Sequence, residues 1–439
     1  MAKWRDCKLG DLLEIKHGFA FRSEHFADAG THIVLTPGNF FDEGGFKHKA
    51  DKEKWYRGPI PADYVLNEGD LIVAMTEQAE GLLGSSAIVP RSGIYLHNQR
   101  LGLVQLRDSK RADRHFVYYL FNSKPVRQQI RASASGVKIR HTAPTRIAEV
   151  KVSVPPLPVQ RRIAGILSAY DELIDNSQRR IRVLEAMARA LYREWFVHFR
   201  FPGSRAEAGA KADGYEGDSS PSGRGRGEGR TQFVTSPLGQ IPKGWEVKKL
   251  GELTAYLNRG LSPSYDDNGD SMVINQKCIR DQRLSLEPAR RQTKPIPPDK
   301  QVRFGDVLIN STGVGTLGRV AQVYQTLDGC TVDTHVTIAR SNSETDLDFF
   351  GCTLLAQQET FDRLGVGATG QTELSRTSIA NVELVVPPAD IQTLFGEAVR
   401  PMRKAAITLA TQIQTLRRTR DLLLPRLLSG QVELETEVP

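Results

Sequence analysis

Cysteine is scarce in this 439-residue chain: Cys7, Cys278, Cys330 and Cys352 stand far apart, without any C-x-x-C spacing. That removes a zinc-ligand framework and a disulfide scaffold, and the plain expectation is a reducing cytoplasm. Long apolar runs are missing as well. No stretch of about eighteen apolar residues exists, so no membrane span is expected. Met1-Ala2-Lys3-Trp4-Arg5-Asp6 also lacks the apolar run of a secretory signal. Catalytic signatures are absent in turn: no G-x-x-x-x-G-K-[ST] loop, no H-E-x-x-H, no G-x-S-x-G. No Asn- or Asp-Pro-Pro-aromatic tetrad occurs; Pro387-Pro388-Ala389-Asp390 comes nearest, at a position where both halves of the chain carry Pro-Pro. The nine histidines fall singly. No metal site and no catalytic activity are expected.

What the chain does contain is a repeat. Trp4, Leu9, Gly10, Asp11 and Leu12 return as Trp245, Leu250, Gly251, Glu252 and Leu253. Gly69-Asp70-Leu71-Ile72 returns as Gly305-Asp306-Val307-Leu308, and Gly81, Leu83 and Gly84 as Gly315, Leu317 and Gly318. Val154-Pro155-Pro156 returns as Val386-Pro387-Pro388, with Gln160 on Gln392. The order holds while the offset drifts slowly downward, as short loop deletions would produce.

After each Pro-Pro the pattern changes period. Ile163, Leu167, Tyr170, Ile174, Ser177, Ile181, Leu184, Ala188, Leu191 and Trp195 alternate four and three apart, an a/d heptad seam. Its second copy is Phe395, Val399, Met402, Ala406, Leu409, Ile413, Leu416, Arg420, Leu423 and Leu427, interrupted only by Arg420. Two matching stripes in one chain are most simply buried against each other. Pro401 should kink the second helix or delay its start, and Pro425 should bend or end it, with Gly430 as a stop. The first helix should end near Phe201-Pro202-Gly203.

Within each copy, Asp70 to Ala74, Leu101 to Leu106, Asp306 to Ile309 and Val336 to Ala339 read as strands. Arg114 to Asn122 and Leu347 to Leu364 read as helices. Gly313-Val314-Gly315-Thr316-Leu317-Gly318 and Gly365 to Gly370 have dinucleotide-fingerprint spacing. The first leads into a strand pattern rather than a helix, so these are turn glycines. The expected fold class is α+β: two tandem globular domains, each followed by a long helix, the helices pairing as an antiparallel coiled coil with pseudo-two-fold symmetry. The expected segments are residues 1–158 and 159–201 (first domain and helix), a glycine- and serine-rich linker over 202–236, 237–389 and 390–430 (second domain and helix), and a tail over 431–439.

A net charge of +8 suits an anionic partner without demanding one. Duplex DNA has local two-fold symmetry, so two similar domains on a helical rod could occupy two half-sites. Because the copies have diverged, the half-sites could differ in sequence. The competing reading is a coiled-coil protein adaptor without sequence-specific DNA binding.

Three stretches carry a resemblance to a known family. Ser236-Pro237-Leu238-Gly239-Gln240-Ile241-Pro242-Lys243-Gly244-Trp245 through Gly251 resembles the start of the second recognition domain of type I restriction-modification specificity subunits. Leu191-Tyr192-Arg193-Glu194-Trp195-Phe196 through Gly203 resembles the end of their first conserved helix, and Arg420 through Gly430 the end of the second. The Pro-Pro-x-x-x-Gln junctions match as well. The resemblance implies a non-catalytic subunit that reads a bipartite, asymmetric double-stranded DNA target. It implies partners: two modification (methyltransferase) subunits using S-adenosylmethionine, and restriction subunits driven by ATP. No cofactor is then expected on this chain.

Base edges favour Arg, Lys, Asn and Gln, and phosphates favour Lys and Arg. Candidate DNA contacts in the first domain are Thr76, Gln78, Gln99, Arg100, Lys138, Arg140 and His141. In the second they are Asn275, Gln276, Lys277, Asn310, Thr312, Thr334, His335, Gln371 and Arg376. All flank strands or turn glycines.

Overall fold

The structure, a computed structural model, describes residues 4–49, 52–77, 80–202, 232–367, 372–432 and 434. The chain divides into two compact units, Met1–Asn176 with Gln412–Pro439, and Ser177–Thr411. Each unit holds one globular copy and a segment of each long helix.

The first copy closes on itself: Arg5–Lys8 pairs antiparallel with Lys151–Val154. The second does the same with Glu246–Lys249 and Glu383–Val386. The repeated Leu-Gly explains how the closure is held. Leu9 and Leu250 are fully buried, and their N–H groups donate to the carbonyls of Val150 and Val382. A side chain on Gly10 or Gly251 would press on Ala148 or Ala380, so glycine allows the close approach there.

Each copy is built on a four-stranded antiparallel sheet. In the first the order is Leu13–His17, Leu101–Leu106, Leu71–Ala74, Ser86–Ile88; in the second it is Thr254–Arg259, Val336–Ser341, Val307–Asn310, Val320–Gln322. The Gly-Asp runs supply the strands Leu71–Ala74 and Val307–Asn310, whose residues are all buried. That burial is why they read as unbroken apolar segments. A smaller sheet of short strands lies beside it in each copy, with one parallel pair apiece, Ile33 opposite Tyr95 and Met272 opposite Cys330.

Helices α1 (Arg114–Phe121), α2 (Lys124–Ala132) and α3 (Pro144–Ala148) in the first copy lead to α4 (Leu157–Tyr192). Helices α5 (Leu347–Ala356), α6 (Gln358–Arg363) and α7 (Arg376–Ala380) in the second lead to α8 (Ala389–Leu428). Asp113 and Asp346 cap α1 and α5, accepting from Phe116 N–H and from Asp348 and Phe349 N–H. The Pro-Pro-x-x-x-Gln motif ties these caps to the long helices. Gln160 accepts from Asp113 N–H and donates to the Pro155 carbonyl. Gln392 accepts from Asp346 N–H and donates to the Pro387 carbonyl. Both glutamines are buried, so either without its partners would leave orphaned polar groups.

None of the twenty predicted seam residues is fully exposed. In the first unit Ile163 and Leu167 share a core with Leu427, and Asp171 pairs with Arg420, so α4 and α8 run in opposite directions there. In the second, Trp195 packs edge-on against Phe395, within a core that also holds Val399. Burying a ring the size of Phe395 contributes about 2–3 kcal/mol. Arg420 does not break the seam: it donates to Asp171 at 2.6 Å, while Tyr119 Oη donates to the other oxygen of the same carboxylate at 2.6 Å.

Four expectations need correcting. Helix α8 begins well before Pro401 and passes through both Pro401 and Pro425 to Leu428, ahead of Gly430 at φ +73°. Both prolines are exposed, as are Glu397 and Asp421 one turn earlier, so the carbonyls they release can be hydrated. The first helix ends its regular turns at Tyr192, not near Phe201, and a π-helical turn over Arg193–Val197 follows. That wider turn lets the neighbours Trp195 and Phe196 both be buried. The segment taken as linker to residue 236 ends in structure, since Phe233–Ser236 forms a hairpin with Gly239–Pro242. Finally, Leu347 to Leu364 is two helices, α5 and α6, broken at Gln357.

Candidate nucleic-acid interface

In both copies one backbone position gathers three segments. In the first, Met75 N–H donates to the Arg100 carbonyl and Thr142 N–H donates to the Met75 carbonyl. In the second, Ser311 N–H donates to the His335 carbonyl and Leu374 N–H to the Ser311 carbonyl. The end of a buried central strand, a tight turn and a returning extended segment therefore meet twice in the same way. The pattern had no signal in either copy alone, because Met75 and Ser311 share no chemistry; only the backbone is conserved between them.

The first junction brings together Thr76, Gln99, Arg100, Arg140 and His141. Thr76 lies opposite His141 in a two-residue antiparallel pair and its Oγ1 meets His141 Nδ1 at 3.1 Å. Gln99 and Arg100 are exposed at the turn, and Lys138 is exposed on the hairpin between Ser135 and His141. Glu77, the nearest carboxylate in sequence, is buried and turned inward, accepting from Gly81 and Leu83 N–H. It thereby orders the following turn instead of opposing an anion. Glu80 is paired with Arg131 at 2.6 Å. Gln78 lies outside the described residues.

The second junction brings together Asn310, Thr312, Thr334 and His335. Thr312 Oγ1 meets His335 Nδ1 at 2.7 Å, so each copy sets a threonine against a histidine, but the histidines come from different segments. Asn310 is buried and structural: its Nδ2 donates to the Gln276 and Thr316 carbonyls, tying the 275–277 turn to the glycine loop. Asn275 is likewise committed, accepting from Lys277 N–H and donating to the Pro288 carbonyl. Gln276 is half-buried and Lys277 exposed on that turn. Arg376 stands apart from the threonine–histidine pair, at the start of α7, donating to Asn258 at 3.0 Å. Glu373 pairs with Arg259 at 2.7 Å. Burial raises the pKa of Asp333, whose carboxylate accepts from His335 N–H at 2.9 Å beneath the turn. Gln371 lies outside the described residues.

Gly313, Gly315 and Gly318 all have positive φ and lead into the strand Val320–Gln322, so this loop is a turn and not a dinucleotide cradle. Among the described residues no cluster of His, Cys, Asp and Glu could hold a metal ion. No helix among them is long and apolar enough to cross a membrane.

The arrangement presents hydroxyl, imidazole, amide and cationic groups from turns fixed on rigid sheet, which is the chemistry that meets base edges and phosphates. The model of the family described as type I restriction modification DNA specificity domain matches residues 1–186 and 242–416. The chain belongs to this family. Among relatives of this DNA specificity family, the chain is similar to the type I restriction enzyme MjaIX specificity subunit of Methanocaldococcus jannaschii. The two are 24% identical over 331 residues, 73% of this chain and 69% of that one. It is similar also to the HindI specificity subunit of Haemophilus influenzae, 23% identical over 333 residues, 65% of this chain and 70% of the relative. A type I restriction-modification S subunit from M. genitalium has the same fold, with a TM-score of 0.59 at 16% identity over 97% of this chain and 96% of that one.

Proposed function

We propose that this chain is the DNA specificity subunit of a type I restriction-modification complex, reading a bipartite, asymmetric target with one half-site to each globular copy. The observation that carries the reading is the junction built twice on the same backbone pattern with different side chains. Conserved backbone positions both readers alike, and diverged side chains let them read different bases. The paired helices α4 and α8 set the distance between half-sites, and two modification subunits dock on them; restriction subunits join that assembly. The chain itself is non-catalytic and binds no cofactor. S-adenosylmethionine and ATP belong to the partners, and the complex works in the cytoplasm. Domain boundaries near residues 158 and 389 follow from the same reading.

The test is adenine-methylation mapping of DNA from a methylation-free host expressing this chain with its modification subunit. One split motif with a fixed spacer, lost when this chain is omitted, is the expected result. A folded, assembled complex that methylates no motif would overturn the reading in favour of a protein adaptor.

A further inference from the structure

The most exposed large apolar side chains among the described residues are Val137, Val314 and Val366, at 96%, 81% and 75%; the next is Val183 at 58%. All three issue from the two junctions. Val137 sits in the hairpin closed by the Ser135–His141 bonds, Val314 in the glycine loop after Thr312, and Val366 opposite Glu373, itself opposite Thr312. Chance scatter would not put the three extremes on homologous edges of two copies.

These tips are held, not loose. Ser135 and His141 exchange both backbone hydrogen bonds, at 2.9 and 2.8 Å, and Val366 and Glu373 do so at 2.9 and 3.0 Å. Gly136 has φ +97°, and a Cβ there would lie 2.0 Å from the Ile139 carbonyl oxygen, so the turn that lifts Val137 demands glycine. Val314 is flanked by Gly313 at φ +105° and Gly315 at φ +69°. Valine is short and stiff, so each tip offers two methyl groups at a fixed place. Cations accompany Val137: Lys138 and Arg140 follow it in sequence, and Arg100 stands on the adjoining turn.

We infer that these valines are base-reading residues that pack against the 5-methyl group of thymine in the major groove. The inference rests on the DNA-specificity reading above. The thymine methyl is the one apolar group a base pair offers there, and it distinguishes T·A from C·G without a hydrogen bond. A valine is too short to unstack a base step as larger wedges do. At Val137 the basic neighbours supply the phosphate contacts that would bring the tip to the groove floor.

The experiment uses the full chain assembled with its modification subunits and the target motif found by methylation mapping. Thymines of each half-site are replaced singly by deoxyuridine, which lacks only the methyl, and affinity is measured at fixed salt. One position in the half-site of the first copy should weaken by about 3- to 10-fold. Val137→Ser should abolish that sensitivity and leave the other half-site unchanged. Val314→Ser or Val366→Ser should do the converse. A motif bound with no methyl-sensitive position, or sensitivity retained in the serine variants, overturns the inference while the specificity reading stands. Loss of modification-subunit assembly in Val137→Ser with an unchanged methyl profile would instead make the tip a protein-docking point. No sequence-specific target at all would fail the underlying reading.

Discussion

Where the globular copies meet the long helices, the two units solve one problem with opposite charges. In the first unit Asp171 of α4 accepts from Tyr119 and Arg420. The equivalent residue of α8 in the second unit is Arg403, which pairs with Asp348 and lies over the Tyr324 ring at 4.2 Å. Tyr119 itself is replaced by Cys352, 3.7 Å from Arg403. The apolar seam was kept through the duplication; the polar pin was rebuilt. An apolar stripe tolerates any partner of similar volume, whereas a half-buried carboxylate accepts only a donor at one register. Each helix segment is thereby marked for its own unit.

The largest effect that could break this comparison is a cavity in one unit. Phe395→Ala should cost about 3–5 kcal/mol, read by hydrogen exchange as loss of protection in the second unit's main sheet. Equal loss in the Leu71–Ala74 sheet would mean that the units share one cooperative core. Acid should separate them next. His97 is fully buried, with Nε2–H donating to the Leu101 carbonyl and no partner for Nδ1 among the described residues. Burial lowers its pKa from 6.5 to about 4. The unfolded chain therefore binds this proton first: the stabilisation is whole above about pH 6.5 and disappears as pH falls to about 4, roughly 3 kcal/mol in all. Val332 stands at the equivalent place in the second unit, and beside it Asp333 works the other way. Its raised pKa makes its contribution present in acid and lost as pH rises. Urea melts at pH 7 and pH 5 should show the first unit weakening more, and His97→Gln should narrow that gap.

A smaller effect tests the pin. Arg420→Ala leaves the Asp171 carboxylate half-buried without its cation and should cost about 2 kcal/mol. Replacing Asp171 and Arg420 together by leucine should recover most of it in a double-mutant cycle; full additivity would deny the pairing. The smallest expected change is at the readers. Thr76→Val and Thr312→Val each remove one hydrogen bond to a histidine, about 1 kcal/mol or roughly fivefold in affinity. Each should act on one half-site only, as competition with half-site variants would reveal.

The seam, the duplication and the central strands were legible because each repeats an apolar pattern at a fixed period. Arg420 looked like a flaw since its partner, Asp171, lies far away in sequence and no periodicity points to it. Neither proline delays or ends α8, because a proline on a solvated helix face loses a hydrogen bond to water rather than to an empty interior. Asn275 and Asn310 match the residue types that read bases, yet both spend their amides on backbone. Residue type cannot reveal whether a donor is already engaged. The junctions stayed hidden for a related reason: they consist of carbonyls and N–H groups that every residue carries.

The division of the chain also sets an order of assembly on the ribosome. The core of the second unit lies within residues 177–411, whereas the core of the first includes Leu427 and its pin requires Arg420. The copy translated first is thus completed last. At about 5–20 residues per second, Ile163 and Leu167 wait roughly 10–50 s for their cover. Over that interval the nascent first copy exposes an apolar stripe that Leu427 later covers.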